Sequence, residues 1–506
     1  MKMKKIDNKY FKRIFHIGLI TLAAVFVSCE NELDINNDPN NPTEVPFVTL
    51  LSAAEVNLAY TLGGDGTRMP ASIVQHYSGH RGQPLNFGQY NITSGDTDGL
   101  WASLYDVLID LRSIEDQTKI SGDNLTLGIS RVLQVYTFSV ATDIFGDIPY
   151  TESLKGLANI TPAYDKQETI YPALLIVLDQ AIVNIKSNAG VNPGSADLIY
   201  GGNVTQWEAF ANSLKLRLLN HLSKRNPTQA LTFLQTNPLL ITRSTTTTTN
   251  NAQVKFTDIA TGANPIYQFD VLSGRKDQAV CSTLVDNMKA LSDPRLTLYF
   301  LPVKNNGSGL KGQYLGNLPG QDLDDSGENL FSRVGPAYAS INSPVTFISA
   351  AEVEFIKSEI YFRAGDLAKS KTAYEQAITN DCNAVEDNVK AAKIEPFIEA
   401  GIDHIVNSDI ATYIANPSVA YNNTLQRIMN QKWIAMYQAS YESFVDWRRT
   451  GFPVLTPPAT NRTNGVTPRR LPYPQKEINV NGASLAAGPG VPIPYVTLTT
   501  KVWWDN

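Results

Sequence analysis

The stretch EVEFIKSEIYFRAGDLAKSKTAYEQAITN, from Glu352 to Asn380, decides how this chain is read. Tyr361 is followed by the turn pair Gly365-Asp366, and then by Tyr374 and Ala377. Two antiparallel helices need a tight turn between them and small side chains where their backbones approach. Gly365 supplies the turn, and Ser370 is small enough for the approach. The stretch therefore predicts a helical hairpin that packs against others like it.

A tetratricopeptide repeat places an aromatic, a glycine turn, an aromatic and a small residue at these spacings, although its usual closing proline is absent here. The same periodicity extends outward. Leu50, Leu51, Ala54 and Leu58 form one apolar stripe, and Trp101, Leu104, Tyr105, Leu108 and Leu111 form another. Residues 127–140 predict a helix buried on most sides that ends before Gly146. Ile170 to Ile185 and Trp207 to Leu218 predict two more. Pro227 opens a short helix ending near Asn237-Pro238. Trp433, Tyr437, Tyr441 and Phe444 predict one long helix from Leu425 to Arg449, stopped by Gly451 and Pro453. Between about 240 and 345 the character changes. The threonine run Thr245–Thr249 opens a stretch rich in Gly, Asn, Asp and Pro, interrupted by one helix near Gln278–Leu291. The fold class expected is mostly α, a scaffold of helical pairs with a large irregular loop-rich region and a few short strands.

The 506 residues carry 42 Lys+Arg against 48 Asp+Glu, a net charge of −6 with no basic domain, which argues against a nucleic-acid partner. Three cysteines make no disulfide framework. Cys281 and Cys382 either pair or stay as two buried thiols.

The N-terminus reads as a targeting segment. Lys2, Lys4, Lys5, Lys9, Lys12 and Arg13 precede an apolar run from Ile14 to Val27, too short to span a bilayer. Ser28-Cys29 then looks like a lipoprotein processing site, with acylated Cys29 as the new N-terminus. A plain secretory peptide is the alternative. Removal of 1–28 leaves 36 basic and 47 acidic side chains, a net of −11, so anchoring falls to the lipid rather than to electrostatics.

Several strings across the chain go together: Asp34-Ile35-Asn36-Asn37-Asp38-Pro39-Asn40; Thr142-Asp143-Ile144-Phe145-Gly146-Asp147-Ile148-Pro149-Tyr150; Trp207 to Arg217; Asp293-Pro294-Arg295-Leu296. Near the C-terminus follow Gln431-Lys432-Trp433, Asp446-Trp447-Arg448-Arg449-Thr450-Gly451, Pro468 to Pro474 and Val502-Trp503-Trp504-Asp505. In this order and spacing they resemble the SusD/RagB family of nutrient-binding outer-membrane lipoproteins. The resemblance implies four tetratricopeptide-like helix pairs and a loop-rich ligand surface. It also implies a cell-exterior, lipid-anchored position over a SusC-like TonB-dependent transporter barrel, which receives captured glycans or peptides. The expected organisation is a signal peptide at 1–28 and one domain at 29–506. Within the domain, 29–45 is an acidic tether, 46–240 and 346–450 the helical scaffold, 241–345 the ligand region, and 451–506 a wrapping C-terminal segment.

Ligand candidates are rings, amides and guanidinium groups off the periodic helices, because sugar faces are partly apolar and their hydroxyls both donate and accept. The segment QHYSGHRGQPLNFGQY, 75–90, offers Tyr77, His80, Arg81, Phe87 and Tyr90. The irregular middle offers Tyr267, Phe269, Arg275, Tyr314, Phe331 and Tyr338. Core packing is the duller role open to each. No catalytic, metal or cofactor residue is expected. Asp322, Asp324 and Ser326 begin a calcium-loop pattern, but Arg333 stands where a glutamate is needed. Gly307 to Gly312 spells a dinucleotide string without a following helix. The ligand favoured is an oligosaccharide over a peptide, with a ligand-free interaction module as the rival and no catalysis.

Overall fold

A computed structural model describes residues 45–243, 250–304, 309–327, 329–394 and 401–505. The targeting segment, Cys29, the tether up to residue 44, the threonine run Thr245–Thr249 and Gly307-Ser308 lie outside the described residues. The chain divides at Pro46, and Phe47 onward forms one unit.

The first half is a row of helices: α1 (Phe47–Gly63), α2 (Asp65–Ile73), α3 (Gly82–Gly88), α4 (Asp98–Ser121), α5 (Asn124–Phe145), α6 (Gln167–Ser187), α7 (Val204–His221) and α8 (Gln229–Gln235). The apolar stripes of the sequence are their buried faces, and α5 is buried almost all round. Each of α4 to α7 packs on the next. Gly128 permits the α5–α6 contact: a Cβ there would stand 2.6 Å from an Ile185 carbon. The middle carries β1 (Ala252–Val254), α9 (Ser282–Ala290), β2 (Phe300–Leu301), β3 (Arg333–Val334) and β4 (Val345–Ile348). Antiparallel β1–β4 and β2–β3 pairs clamp it to the helices. The second helical set follows: α10 (Ala350–Arg363), α11 (Leu367–Ala391), α12 (Asn407–Ala415), α13 (Leu425–Ala435) and α14 (Ser440–Thr450). In the hairpin α10–α11, Ser358 Oγ and Ser370 Oγ each donate to the other's backbone carbonyl, at 2.9 and 2.8 Å. Both residues are small enough for that approach.

Three expectations need correction. The helix expected from Gln278 begins at Ser282, because the preceding residues are extended and Val280 bridges to Tyr77. The single helix expected over Leu425–Arg449 is two. In an unbroken helix the Trp433 carbonyl would accept from Tyr437 N–H; instead it accepts from His76 Nε2–H at 3.0 Å, and Tyr437 N–H turns to Ile434. Ser440 Oγ lies 2.8 Å from His76 Nδ1, and burial lowers the imidazole pKa to about 3, so the ring is a neutral wedge. The break sends Trp433 and Tyr437 into one apolar core and Tyr441 and Phe444 into another. Third, the C-terminal segment does more than wrap the surface: Leu471, Tyr473, Leu485, Leu498, Val502 and Trp504 are core residues. Cys281 and Cys382 are separate buried thiols.

Between α7, α10, α13 and α14 lies a buried charge network. Arg217 Nη2 meets Glu352 at 2.6 Å, Lys432 meets Asp446 at 2.6 Å, and Arg449 Nη2 meets Glu359 at 2.6 Å and Asp446 at 2.7 Å. His221 sits between Glu442 at 2.9 Å and Asp143 at 3.3 Å. Burial by itself would lower the His221 pKa, but the two carboxylates carry it up to about 9. Burial likewise opposes ionisation of Glu442, yet His221 and Arg217 hold its carboxyl well below the usual range.

Two outcomes are expected. Arg449→Met leaves buried Glu359 with only Arg363 and buried Asp446 with only Lys432, and should cost about 3 kcal/mol in urea unfolding. Because the folded-state pKa of His221 is raised, its contribution is full below about pH 6.5 and lost as pH rises through about 9. The unfolding free energy should therefore fall over that window by on the order of 2–3 kcal/mol more in the native chain than in His221→Gln.

Candidate functional site

Three elements build an open polar groove on the helical body. The C-terminal end of α1 gives Asn57 and Tyr60, the first turn of α2 gives Asp65 and Arg68, and α4 gives Ser103 and Asp106. The groove holds about 370 Å³. Tyr60 is fixed by its hydroxyl, which donates to the Ala263 carbonyl and accepts from Gln268 Nε2, each at 2.7 Å. Desolvation raises its pKa, so it stays a neutral phenol that can share a hydrogen bond. Arg68 pairs with Asp65 and lays its guanidinium 3.9 Å from the centre of the Phe269 ring. The Arg275 guanidinium lies 4.6 Å from the same ring. Phe269 belongs to a π-helical turn, Gln268–Leu272, which also exposes Val271 and Leu272. Such turns are short distortions that re-aim side chains.

Of the residues expected from the sequence, the structure brings Phe269 and Arg275 together over Arg68. Arg275 Nε also reaches both Asp277 carboxylate oxygens at 3.2 Å. Arg81 pairs with Asp325, and Arg333 holds Asp270 at 3.0 Å. The two candidate segments of the sequence meet through His80: its ring nitrogens lie 2.7 Å from the Lys276 carbonyl and 2.9 Å from that of Asp324, and its backbone N–H donates to Asp277. Gly327 packs under that ring, where a Cβ would come within 2.6 Å.

The segment 75–90 is not an open loop. It contains α3 and turns Tyr77, His80, Phe87 and Tyr90 inward, all but Phe87 at most 2% exposed and Phe87 only slightly more. Tyr77 donates to Gln438 Oε1 at 3.0 Å and meets the Tyr437 ring. Burial of these four takes them out of reach of a ligand; their ring area is spent on the core. Tyr338 stacks edge-on against Tyr299 and Tyr437, and Phe331 lies 6.4 Å from the His80 ring. Tyr267 and Tyr314 are half-buried, Tyr267 as the last residue of a one-turn helix capped by Asn264. Sequence reasoning passed over Tyr60, Arg68, Ser103 and Asp106 because they lie on helices assigned to the scaffold. The turn string Gly63-Gly64-Asp65-Gly66-Thr67-Arg68, directly after an apolar stripe, was the available signal.

Residues 39–474 match the SusD-like family described as starch-binding and associating with the outer membrane. A chitin-binding protein superposes with a TM-score of 0.75 at 23% identity, covering 91% of this chain and 100% of its own. A SusD homologue from Bacteroides fragilis gives 0.75 at 21% identity over 91% and 100%. One from Bacteroides uniformis gives 0.71 at 25% identity over 90% and 99%. No curated protein matches the chain. A helical-repeat protein of the outer-membrane binding class is thereby defined. The chain belongs to the SusD-like family.

The packing predicts a contrast in stability. Gly327→Ala must displace the buried His80 ring and should cost about 1–3 kcal/mol. Phe269→Ala, at a half-buried surface ring, should cost about 1 kcal/mol or less. Urea titration of both variants measures the difference.

Proposed function

We propose that this protein captures a neutral oligosaccharide at the outer-membrane surface without cleaving it. It passes the ligand to a SusC-like TonB-dependent transporter barrel, and acylation of Cys29 is its anchor, facing the cell exterior. The reading rests on family membership and on one observation: the polar groove of Tyr60, Asp65, Arg68, Ser103 and Asp106, whose Arg68 carries the Phe269 ring against its guanidinium. Hydroxyls and guanidinium donors along a groove of this size suit sugar hydroxyls, and the π-helical turn that carries Phe269 exposes Val271 and Leu272.

Charge bookkeeping favours a neutral ligand. Arg68, Arg81, Arg275 and Arg333 are each paired with a carboxylate, Asp65, Asp325, Asp277 and Asp270 respectively. An anionic ligand would have to break those pairs, whereas a hydroxyl accepts from a guanidinium N–H without displacing anything. A peptide is the second reading, favoured by the two guanidinium groups that crowd the Phe269 ring and leave it less free to stack on a sugar.

Calorimetry on the soluble form starting at Glu30, with oligosaccharide and peptide panels, tests this. Binding of a glycan recovered intact is expected, weakened about tenfold by Phe269→Ala and by Arg68→Ala. Preferential binding of peptides would transfer the site to the second reading, and cleaved product would make the protein an enzyme.

A further inference from the structure

A separate cleft is lined by α4, α5, α6 and the first residues of the loop between α5 and α6. It holds about 280 Å³, at the small end of the roughly 300–1,000 Å³ found for ligand pockets. Val135, Phe138, Leu154, Leu174 and Val177 give it an apolar lining, of which half-buried Leu154 and Val177 are the more open. Three cations, Arg112, Arg131 and Lys155, also line it, against one carboxylate, Glu115. That balance runs against the chain as a whole, in which acidic side chains outnumber basic ones, 48 to 42.

The carboxylate is already spent. Glu115 Oε1 meets Lys119 at 2.9 Å and Arg131 Nε at 3.1 Å, and Oε2 accepts from Gln134 Nε2 at 3.2 Å. Burial opposes ionisation of Glu115, yet Lys119, Gln134 and Arg131 hold its carboxyl below the usual range. The cations keep donors in hand. Arg131 is clamped by Glu115 and by Asn184, which accepts from Nη1 at 2.7 Å. Its Nη2 makes no hydrogen bond among the described residues and is not sealed from solvent. The Arg112 side chain is 45% exposed; its Nε donates to Asp116 at 2.9 Å, and its Nη1 stands 3.8 Å from Glu115, beyond hydrogen-bond reach. Lys155 is exposed and makes no ion pair among the described residues. The Tyr150 hydroxyl is likewise open and without a partner among them. Burial, and then the charges of Asp165 and Glu115, raise its pKa, so it stays a phenol that can donate. The remaining hydroxyls are committed, Thr151 to Asp165 and Ser153 to the Tyr150 carbonyl.

The cleft is also built to hold its shape. The Tyr150 ring stands edge-on to Phe138 with centres 4.8 Å apart, and the Tyr150 and Thr151 N–H groups donate to Asp165 at 2.9 and 2.8 Å. Leu154 is held at φ +60°, which L side chains seldom adopt. A preformed cleft lowers the ordering cost of binding.

Open N–H and O–H donors with surplus positive charge match a carboxylate, which accepts at both oxygens and donates from neither. The apolar lining disfavours a bare inorganic ion, which would lose its water against it. We propose that this cleft binds a small organic acid, one carboxylate on an apolar body. Arg131 Nη2 and the Tyr150 hydroxyl donate to the carboxylate, Arg112 and Lys155 add charge, and the body covers Leu154 and Val177. The amides of Gln134 and Gln180 are the uncharged remainder of the lining. No lining residue is shared with the Tyr60 groove, so either site can fail alone.

The test follows backbone hydrogen exchange over 150–155 in the chain from Glu30 onward. Octanoate is the probe. Octanol has its body without the charge, and glucuronate carries the charge on a polar body. Octanoate should slow exchange there; octanol and glucuronate should not. Arg112→Gln/Lys155→Gln, at two exposed positions, should leave the urea midpoint in place and weaken octanoate about tenfold. Val177→Glu sets a like charge in the cleft and should abolish the protection. N-acetyl-leucine separates two sources of the same chemistry: stronger protection than by octanoate names a peptide end, and weaker protection names a free fatty acid. Octanoate that leaves 150–155 unchanged overturns the proposal. So does equal protection by octanol, stronger protection by glucuronate, or octanoate protection that survives both the double variant and Val177→Glu.

Discussion

The buried charges between α7, α10, α13 and α14 are the constraint on which the rest of the fold depends. Arg217, Lys432, Arg449 and His221 are all buried, and each is matched by a carboxylate from a different helix. Apolar packing would tolerate small slips between these helices; paired ions in a dry interior do not, because one displaced partner leaves a bare charge. The network therefore fixes the register of the second helical set against the first. Its reach extends to the chain end, since Asp143 also accepts from Trp504 Nε1 at 2.8 Å and Arg469 pairs with Asp505. Such pairs add little net stability over a well-packed apolar core. Their value here is geometric.

That geometry is passed to the ligand face through α14 and α2, which pack on each other. Glu442, Asp446 and Arg449 lock α14 in place, and Ser440 at its start holds His76 just past the end of α2. Trp433 Nε1 donates to the Val74 carbonyl at 3.0 Å. Thr67 Oγ1 reaches the Gln438 carbonyl at 3.3 Å. The first turn of α2, carrying Asp65 and Arg68, is thus set by contacts made on its far side. Binding groups placed on a helix supported in this way need little reordering when a ligand arrives, which lowers the entropic cost of association.

The helical scaffold was legible because burial on one face writes a period into the chain. Trp101, Leu104, Leu108 and Leu111 are core residues at the spacing that first identified their helix. The break between α13 and α14 left no such mark: Trp433, Tyr437, Tyr441 and Phe444 keep helical spacing across it, and its cause, His76, lies some 360 residues earlier. The ligand candidates were legible only in part. Phe269 and Arg275 come together at the surface, whereas Tyr77 and Tyr90 have the same composition-based signal and are buried. A ring beside glycines looks alike in sequence whether it faces solvent or core. The side chains that line the groove from α1 and α4 share helices with core residues, so a reading by element assigned them to the scaffold. Local sequence says which face of a helix is apolar; it does not say which polar face lines a groove.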